Sequence, residues 1–222
     1  MKRHFRREQP WPIRLTHWVS APLLFIVAGS GLQILAAYPY MGPRGALFSL
    51  YPFQGATPPQ WLRLGGWLAG ARALHFSLGF WLTVNGLIYL AYLVASGEWR
   101  RRLFFPLRDT RNAVETALFY ARLRKAAPEQ GLYNGLQRIA YSSALIFGVV
   151  AVLSGLALYK PTQLAVLAAC FGGYDGARLI HLLSLVALAG FLPGHLLMVA
   201  LHPKSLKAMV TGGRKDEEVP HA

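Results

Sequence analysis

Apolar residues along this chain gather into four long runs, at about Leu15–Tyr38, Ala71–Val94, Gly135–Leu158 and Ala177–Leu201. Each exceeds the roughly 20 residues that a helix needs to cross the hydrocarbon core of a bilayer. The pattern predicts an all-α, four-helix membrane bundle formed by one domain over residues 1–213, with a polar tail at 214–222. Basic residues precede the first run, as in a signal peptide, but the run is too long for one and reads as a retained first helix. A loop rich in Pro, Gly and aromatics follows, and its Trp61–Trp67 stretch suits a membrane interface, where Trp is enriched. The second and third runs are separated by a basic segment, Ser96–Tyr133, in which Asp109–Lys125 is expected to form a surface helix. A short loop, Tyr159–Gly176, leads into the fourth run.

Composition sharpens this picture. Only 14% of the 222 residues are charged, against roughly 25% in soluble domains. The net charge of +14 does not point to nucleic acid, because the basic residues lie between the apolar runs. Five Lys or Arg precede the first run through Arg14, eight lie in Ser96–Tyr133 and four in the polar segment from Pro203 onward, whereas the other two loops hold only Arg44, Arg63 and Lys160. The positive-inside rule then puts both termini and the middle loop in the cytoplasm. Cys170 is the sole cysteine. That excludes an internal disulfide, a Cys-ligated iron–sulfur cluster and covalent haem attachment through C-x-x-C-H.

Four histidines fall inside the runs. His17 and His75 open the first and second, while His181 and His195 both lie in the fourth. The last two are 14 residues apart, close to four turns, so they share a face about 21 Å apart along the axis. With the predicted topology, His17 and His195 lie near the cytoplasmic side and His75 and His181 near the outer side. Ionisable rings in hydrocarbon are expensive and call for a partner or a function. Pairs of imidazoles from different helices at matched depth suit two b haems held one above the other. Buried histidines bonded to backbone or hydroxyls are the plainer alternative, and the matched pairing favours haem. His4, His202 and His221 stand outside the pattern and read as surface residues.

Arg14, Arg72 and Arg178 each precede one of these histidines by three residues and so share its helix face. They could hold haem propionates or could simply snorkel from helix ends to the headgroups. Gly31, 14 residues after His17, could let a porphyrin approach the backbone, although packing between membrane helices explains it more simply. Pro193, two residues before His195, removes a helix hydrogen bond and could aim that ring.

The motifs RLTHW at Arg14–Trp18, RALHF at Arg72–Phe76, YNGLQRIAY at Tyr133–Tyr141, RLIH at Arg178–His181 and MVTGG at Met209–Gly213 resemble those of prokaryotic di-haem cytochromes b. This family includes the membrane subunits of formate dehydrogenases, nickel–iron hydrogenases and thiosulfate reductases. FGGYDGARLIH and the long first outer loop look closest to cytochromes paired with molybdopterin enzymes. The resemblance implies a multi-pass protein of the bacterial cytoplasmic membrane. It would carry electrons between a quinone, menaquinone or ubiquinone, and a periplasmic or outer-face redox subunit, with a molybdopterin-dependent oxidoreductase as the expected partner. It also implies a quinone site at Asn134 and Gln137, beside the cytoplasmic haem, for which a helix-capping role of Asn134 is the simpler alternative. Rival readings are a stand-alone cytochrome, for example one acting on superoxide and quinone, and a transporter with a histidine relay. The lack of Asp and Glu in the spans makes the relay less attractive.

Overall fold

The computed structural model describes residues 5–128, 131–213 and 215–217. His4, His221 and most of the predicted tail lie outside the described residues. Four long helices carry the apolar runs: α1 (Trp11–Ala37), α2 (Leu68–Ser96), α5 (Gly135–Tyr159) and α7 (Gly173–Leu201), each long and apolar enough to cross a membrane. Shorter helices fill the connections: α3 (Trp99–Arg102), α4 (Pro106–Tyr120), α6 (Ala165–Cys170) and α8 (Pro203–Thr211). A two-stranded antiparallel ribbon joins β1 (Phe5–Arg7) to β2 (Lys215–Glu217), with Phe5 opposite Glu217.

The long helices are built for lipid rather than for water. Their large apolar side chains face outward, among them Phe25, Phe80, Trp81, Leu87, Ile146 and Val186. Their buried positions are small or hydroxylated: Thr16, Ser30, Ala71, Ser154, Ala157, Ala177 and Ser184. Lipid gives no hydrophobic drive for helices to associate, so close backbone approach through small residues takes over. Ser30, Ser154 and Ser184 return their hydroxyl hydrogens to carbonyls one turn back, Ile26, Val150 and Ile180, which satisfies them without any other helix.

The chain divides into two compact units, one of residues 1–15, 89–146 and 189–222, the other of residues 16–88 and 147–188. In the second unit the Pro- and Gly-rich loop is ordered by Gln54. Its amide takes the N–H of Met41 at 2.8 Å and donates to the Met41 and Phe48 carbonyls at 2.9 and 3.0 Å. Gly42 makes this turn possible: its φ is +108° and a Cβ there would lie 2.6 Å from the Phe48 nitrogen. Further on, the Leu64 N–H bonds the Gly29 carbonyl at 3.0 Å, which fastens the loop to α1.

In the first unit, the Asn112 side chain of α4 accepts the Gly135 N–H at 2.6 Å. A Cβ at Gly135 would sit 2.4 Å from the Ala113 nitrogen, so only glycine allows α4 to seat against the start of α5. Asp109 accepts from Arg108, the Phe105 N–H and Arg138. The Arg108 hydrogen bond first, then the Phe105 amide and the Arg138 charge, hold its carboxyl below the usual range against the opposing effect of burial.

Several boundaries differ from the sequence expectation. The surface helix ends at Tyr120, not Lys125, because Arg122 adopts φ +61°. Arg122 N–H then bonds the Phe119 carbonyl and Leu123 N–H the Leu118 carbonyl, at 3.0 and 2.8 Å, the paired bonds of a Schellman stop. The loop Tyr159–Gly176 contains α6 and the first turn of α7, which starts at Gly173; Gly172 and Gly173 both have φ near +80°. The segment after Pro203 is the helix α8, closed by Gly212 at φ +100°. Pro193 lies within α7, which continues past it to Leu201.

Candidate functional site

The most organised polar arrangement in a membrane-spanning region is built from His75 on α2 and His181 on α7. Their ring centroids are 6.0 Å apart and their planes lie at 78°. The His75 Nδ1 bonds the Val27 carbonyl of α1 at 2.9 Å, with Ser30 Oγ at 3.4 Å. The His181 Nδ1 bonds the Ala151 carbonyl of α5 at 2.9 Å, with Ser154 Oγ at 3.1 Å. A carbonyl oxygen only accepts, so each Nδ1 carries the proton and each Nε2 presents its lone pair. The next residue on the supporting helix is glycine in both cases. A Cβ at Gly31 would come within 3.0 Å of His75 Cε1, and one at Gly155 within 3.1 Å of His181 Cε1.

His75 and His181 are thus held by the same three-part seat: a carbonyl, a serine three residues on and a glycine four residues on. Pinning Nδ1–H to a backbone oxygen is the usual way a metal-binding imidazole is oriented through its second nitrogen. The separation also suits a shared metal. Two metal–nitrogen bonds of about 2.0 Å and two ring radii of about 1.1 Å place the centroids about 6.2 Å apart. Among the described residues no group of three or more His, Cys, Asp or Glu could hold a metal ion. Two imidazoles with their Nδ1 atoms on carbonyls and their Nε2 atoms unprotonated fit a group that supplies its other metal ligands itself, as haem does.

His17 and His195 fall in different compact units. The His17 ring meets the Trp18 ring edge-on at 5.1 Å. One residue earlier, the Thr16 carbonyl accepts from the buried Asn85 amide of α2 at 2.8 Å, and that amide also bonds Ser20. His195 stacks on Phe191 at 5.3 Å and stands 6.1 Å from Tyr141. Asn134 and Gln137 form a reciprocal capping box at the start of α5. Asn134 Oδ1 accepts the Gln137 N–H at 2.9 Å, and Gln137 Oε1 accepts the Asn134 N–H at 3.1 Å. Their amide oxygens are engaged there, and their NH2 groups are the atoms that could donate to a carbonyl ligand.

The three arginines have different surroundings. Arg14 donates to the Val210 carbonyl near the end of α8. Arg72 is exposed and lies over the Phe76 ring at 5.7 Å. Arg178 donates to the Tyr38 and Tyr40 carbonyls and lies over the Tyr38 ring at 4.9 Å. All three lie near helix ends.

The profile of the prokaryotic cytochrome b561 family matches residues 8–212, which covers all four long helices and all four internal histidines. The chain belongs to the prokaryotic cytochrome b561 family. A curated relative from Azospira oryzae, a candidate protein-methionine-sulfoxide reductase subunit named YedZ1, is 39% identical over 204 residues, 91% of this chain and 94% of its own length. As a cytochrome b561 with four spanning helices, the protein is a multi-pass, haem-b-type protein of the inner membrane.

Sequence reasoning overlooked most of the seats in this cytochrome b561. Ser30, Ser154 and Gly155 were visible as two Ser-Gly pairs inside apolar runs, but nothing in their spacing assigned them to a histidine. The missing side chain of Gly31 makes room for the His75 ring, not for a porphyrin edge read from spacing alone.

Proposed function

We propose that this cytochrome b561 holds two b haems, one between His75 and His181 and one between His17 and His195, and transfers electrons between a quinone and a redox subunit at the outer face. The observation that carries the reading is the His75–His181 pair, with both Nδ1 atoms bonded to carbonyls and the rings 6.0 Å apart. When bound, a bis-imidazole haem supplies one-electron chemistry with no coordination position open to a substrate. The protein's part is to fix ring orientation and tautomer through the Val27 and Ala151 carbonyls, and to keep the site within apolar helices.

Asn134 and Gln137 are proposed to offer their amide NH2 groups to the quinone, menaquinone or ubiquinone, beside His195. The capping box supports this by fixing which amide atoms point away from the backbone. Arg14, Arg72 and Arg178 are proposed to approach haem propionates. A guanidinium carries five N–H donors, so this role is compatible with the carbonyl bonds that Arg14 and Arg178 make. Both termini are proposed to be cytoplasmic. The lysine and arginine distribution supports that orientation, and the β1–β2 ribbon supports a common side for both ends.

The partner is proposed to be a periplasmic, molybdopterin-dependent oxidoreductase docked on the outer loops, where Phe53, Trp61 and Trp67 are exposed. The Azospira oryzae relative carries the name of a reductase subunit, and a reductase must be supplied with electrons. We therefore take the direction as quinol to partner.

Pyridine haemochrome analysis of the purified protein tests the reading. Two b haems per chain are expected. His75→Ala and His181→Ala should each lose the same haem, and His17→Ala and His195→Ala the other. A protein that binds no haem when haem is supplied, or variants that lose haem without this pairing, would overturn it.

A further inference from the structure

A second buried polar cluster has no part in holding the four histidines. It lies in the first compact unit and is centred on Arg102, whose side chain is 3% exposed. Arg102 Nε donates to Glu98 Oε2 at 2.8 Å, Nη2 to the Glu8 carbonyl at 2.7 Å, and Nη1 to both Gln9 Oε1 and the Tyr133 hydroxyl at 2.9 Å. Gln9 Nε2 donates to the same Tyr133 hydroxyl at 3.0 Å. The amide orientation of Gln9 is forced. A guanidinium has only donors, so the atom facing Arg102 is the oxygen and the NH2 faces Tyr133.

Two N–H donors therefore converge on one phenolic oxygen. A phenol has one hydrogen to give and limited capacity to accept. With that capacity filled from one side, Tyr133 can only donate, and away from Arg102 and Gln9. The donor facing it from Arg102 is cationic, and its guanidinium also lies over the Tyr133 ring at 5.6 Å. Positive charge at the oxygen polarises the O–H bond and makes it a stronger donor. Structural anchoring alone explains the Arg102–Glu98 pair. It does not call for a hydroxyl whose acceptor side is saturated.

The position of Tyr133 says what such a donor could serve. It directly precedes Asn134. Its ring meets the Tyr141 ring at 5.0 Å, and Tyr141 stands 6.1 Å from His195. A ligand beside this aromatic line would meet ring faces and edges along its body and one strong hydroxyl donor at its end. A flat ring carrying a carbonyl oxygen matches that description.

We propose that Tyr133 donates a hydrogen bond to one oxygen of the quinone headgroup, and that Arg102 and Gln9 are positioning residues that hold its hydroxyl as a donor. This rests on the reading above, in which the quinone binds near Asn134 and His195. It adds a ligand contact, and a reason for the Arg102 cluster, that the capping box does not supply.

The test uses the full-length, haem-loaded protein in detergent. Binding of the quinone analogue 2-heptyl-4-hydroxyquinoline N-oxide is followed by fluorescence quenching, and haem reduction is followed with a soluble quinol. Tyr133→Phe should weaken analogue binding and raise the quinol KM about tenfold, with little change in kcat. Haem content and the dithionite-reduced spectrum should match the unaltered protein, while the unfolding temperature falls modestly because the Gln9 NH2 loses its acceptor. Gln9→Met removes one donor from the phenol without touching the ligand, and should weaken binding about threefold. Unchanged analogue affinity in a haem-replete Tyr133→Phe protein would overturn the assignment while leaving the quinone reading intact. Should Tyr133→Phe fail to retain haem, unchanged affinity in Gln9→Met would overturn it instead. If the unaltered protein is reduced by dithionite but neither binds the analogue nor accepts electrons from quinol, the quinone reading itself fails, and this proposal with it.

Discussion

At the scale of single residues, the chemistry of this cytochrome b561 depends on which atom of a side chain is used. Asn134 and Gln137 show this well. Their oxygens cap α5 through each other's backbone N–H groups, and their nitrogens are the proposed quinone donors. Alanine would remove both functions together, at a capping cost of about 1 kcal/mol. Gln137→Glu separates them. A glutamate at this position keeps an acceptor for the Asn134 N–H, as in other capping boxes, but has no NH2. The expected outcome is unchanged thermal stability and haem content with quinol-driven haem reduction several-fold slower. Stopped-flow reduction alongside a melting curve measures both, and full activity in a stable variant would assign the pair to capping alone. The N-x-x-Q spacing was legible in the sequence. It could not separate a cap from a ligand, because both use the same two residue types.

At the scale of elements, the apolar runs were sufficient to locate the four long helices within a few residues. Length and hydropathy decide that question, and lipid leaves few other solutions. What the runs did not reveal were ends set by backbone torsion. The end of α4 is the clearest case, since a basic, helix-favouring stretch continues to Lys125 while Arg122 turns left-handed. A side chain with a Cβ is penalised there by about 1 kcal/mol. Arg122→Gly should therefore raise stability by about that amount, within the range seen when glycine relieves a left-handed position. Thermal unfolding of the detergent-solubilised protein checks it. A lower melting temperature would mean that the Arg122 side chain contributes more than its backbone conformation costs. The helix α8 was missed for a different reason. Its nine residues mix Lys204 and Lys207 with Leu206 and Val210, a surface-helix pattern too short to stand out from a polar tail.

At the scale of the whole molecule, charge and membrane orientation are linked through the loops. The sole cysteine, Cys170, is exposed in α6, between the third and fourth spans. With cytoplasmic termini, that connection faces the periplasm. A membrane-impermeant maleimide should then label Cys170 on intact spheroplasts expressing this chain without its partner. A cysteine introduced at exposed Leu123, in the basic connection, should be labelled only after lysis; the reverse pattern would invert the topology. Topology and helix rise alone place His75 and His181 at one depth, and the two rings lie 6.0 Å apart. The atoms that hold those rings could not be inferred in the same way, because the Val27 and Ala151 carbonyls belong to other helices and appear in no motif.

Those two carbonyls bear on how the protein can evolve. The oxygen that orients each of these two imidazoles belongs to the main chain, so any residue that remains helical supplies it. Positions 27 and 151 can drift through many amino acids without disturbing the rings, whereas any Cβ at Gly31 or Gly155 crowds the imidazole and makes it give by a few tenths of an ångström. A record of substitutions across relatives would therefore register the two glycines as constrained and pass over the two acceptors. Part of the inheritance of this site is carried by helix geometry, where exchanging one side chain for another leaves no mark.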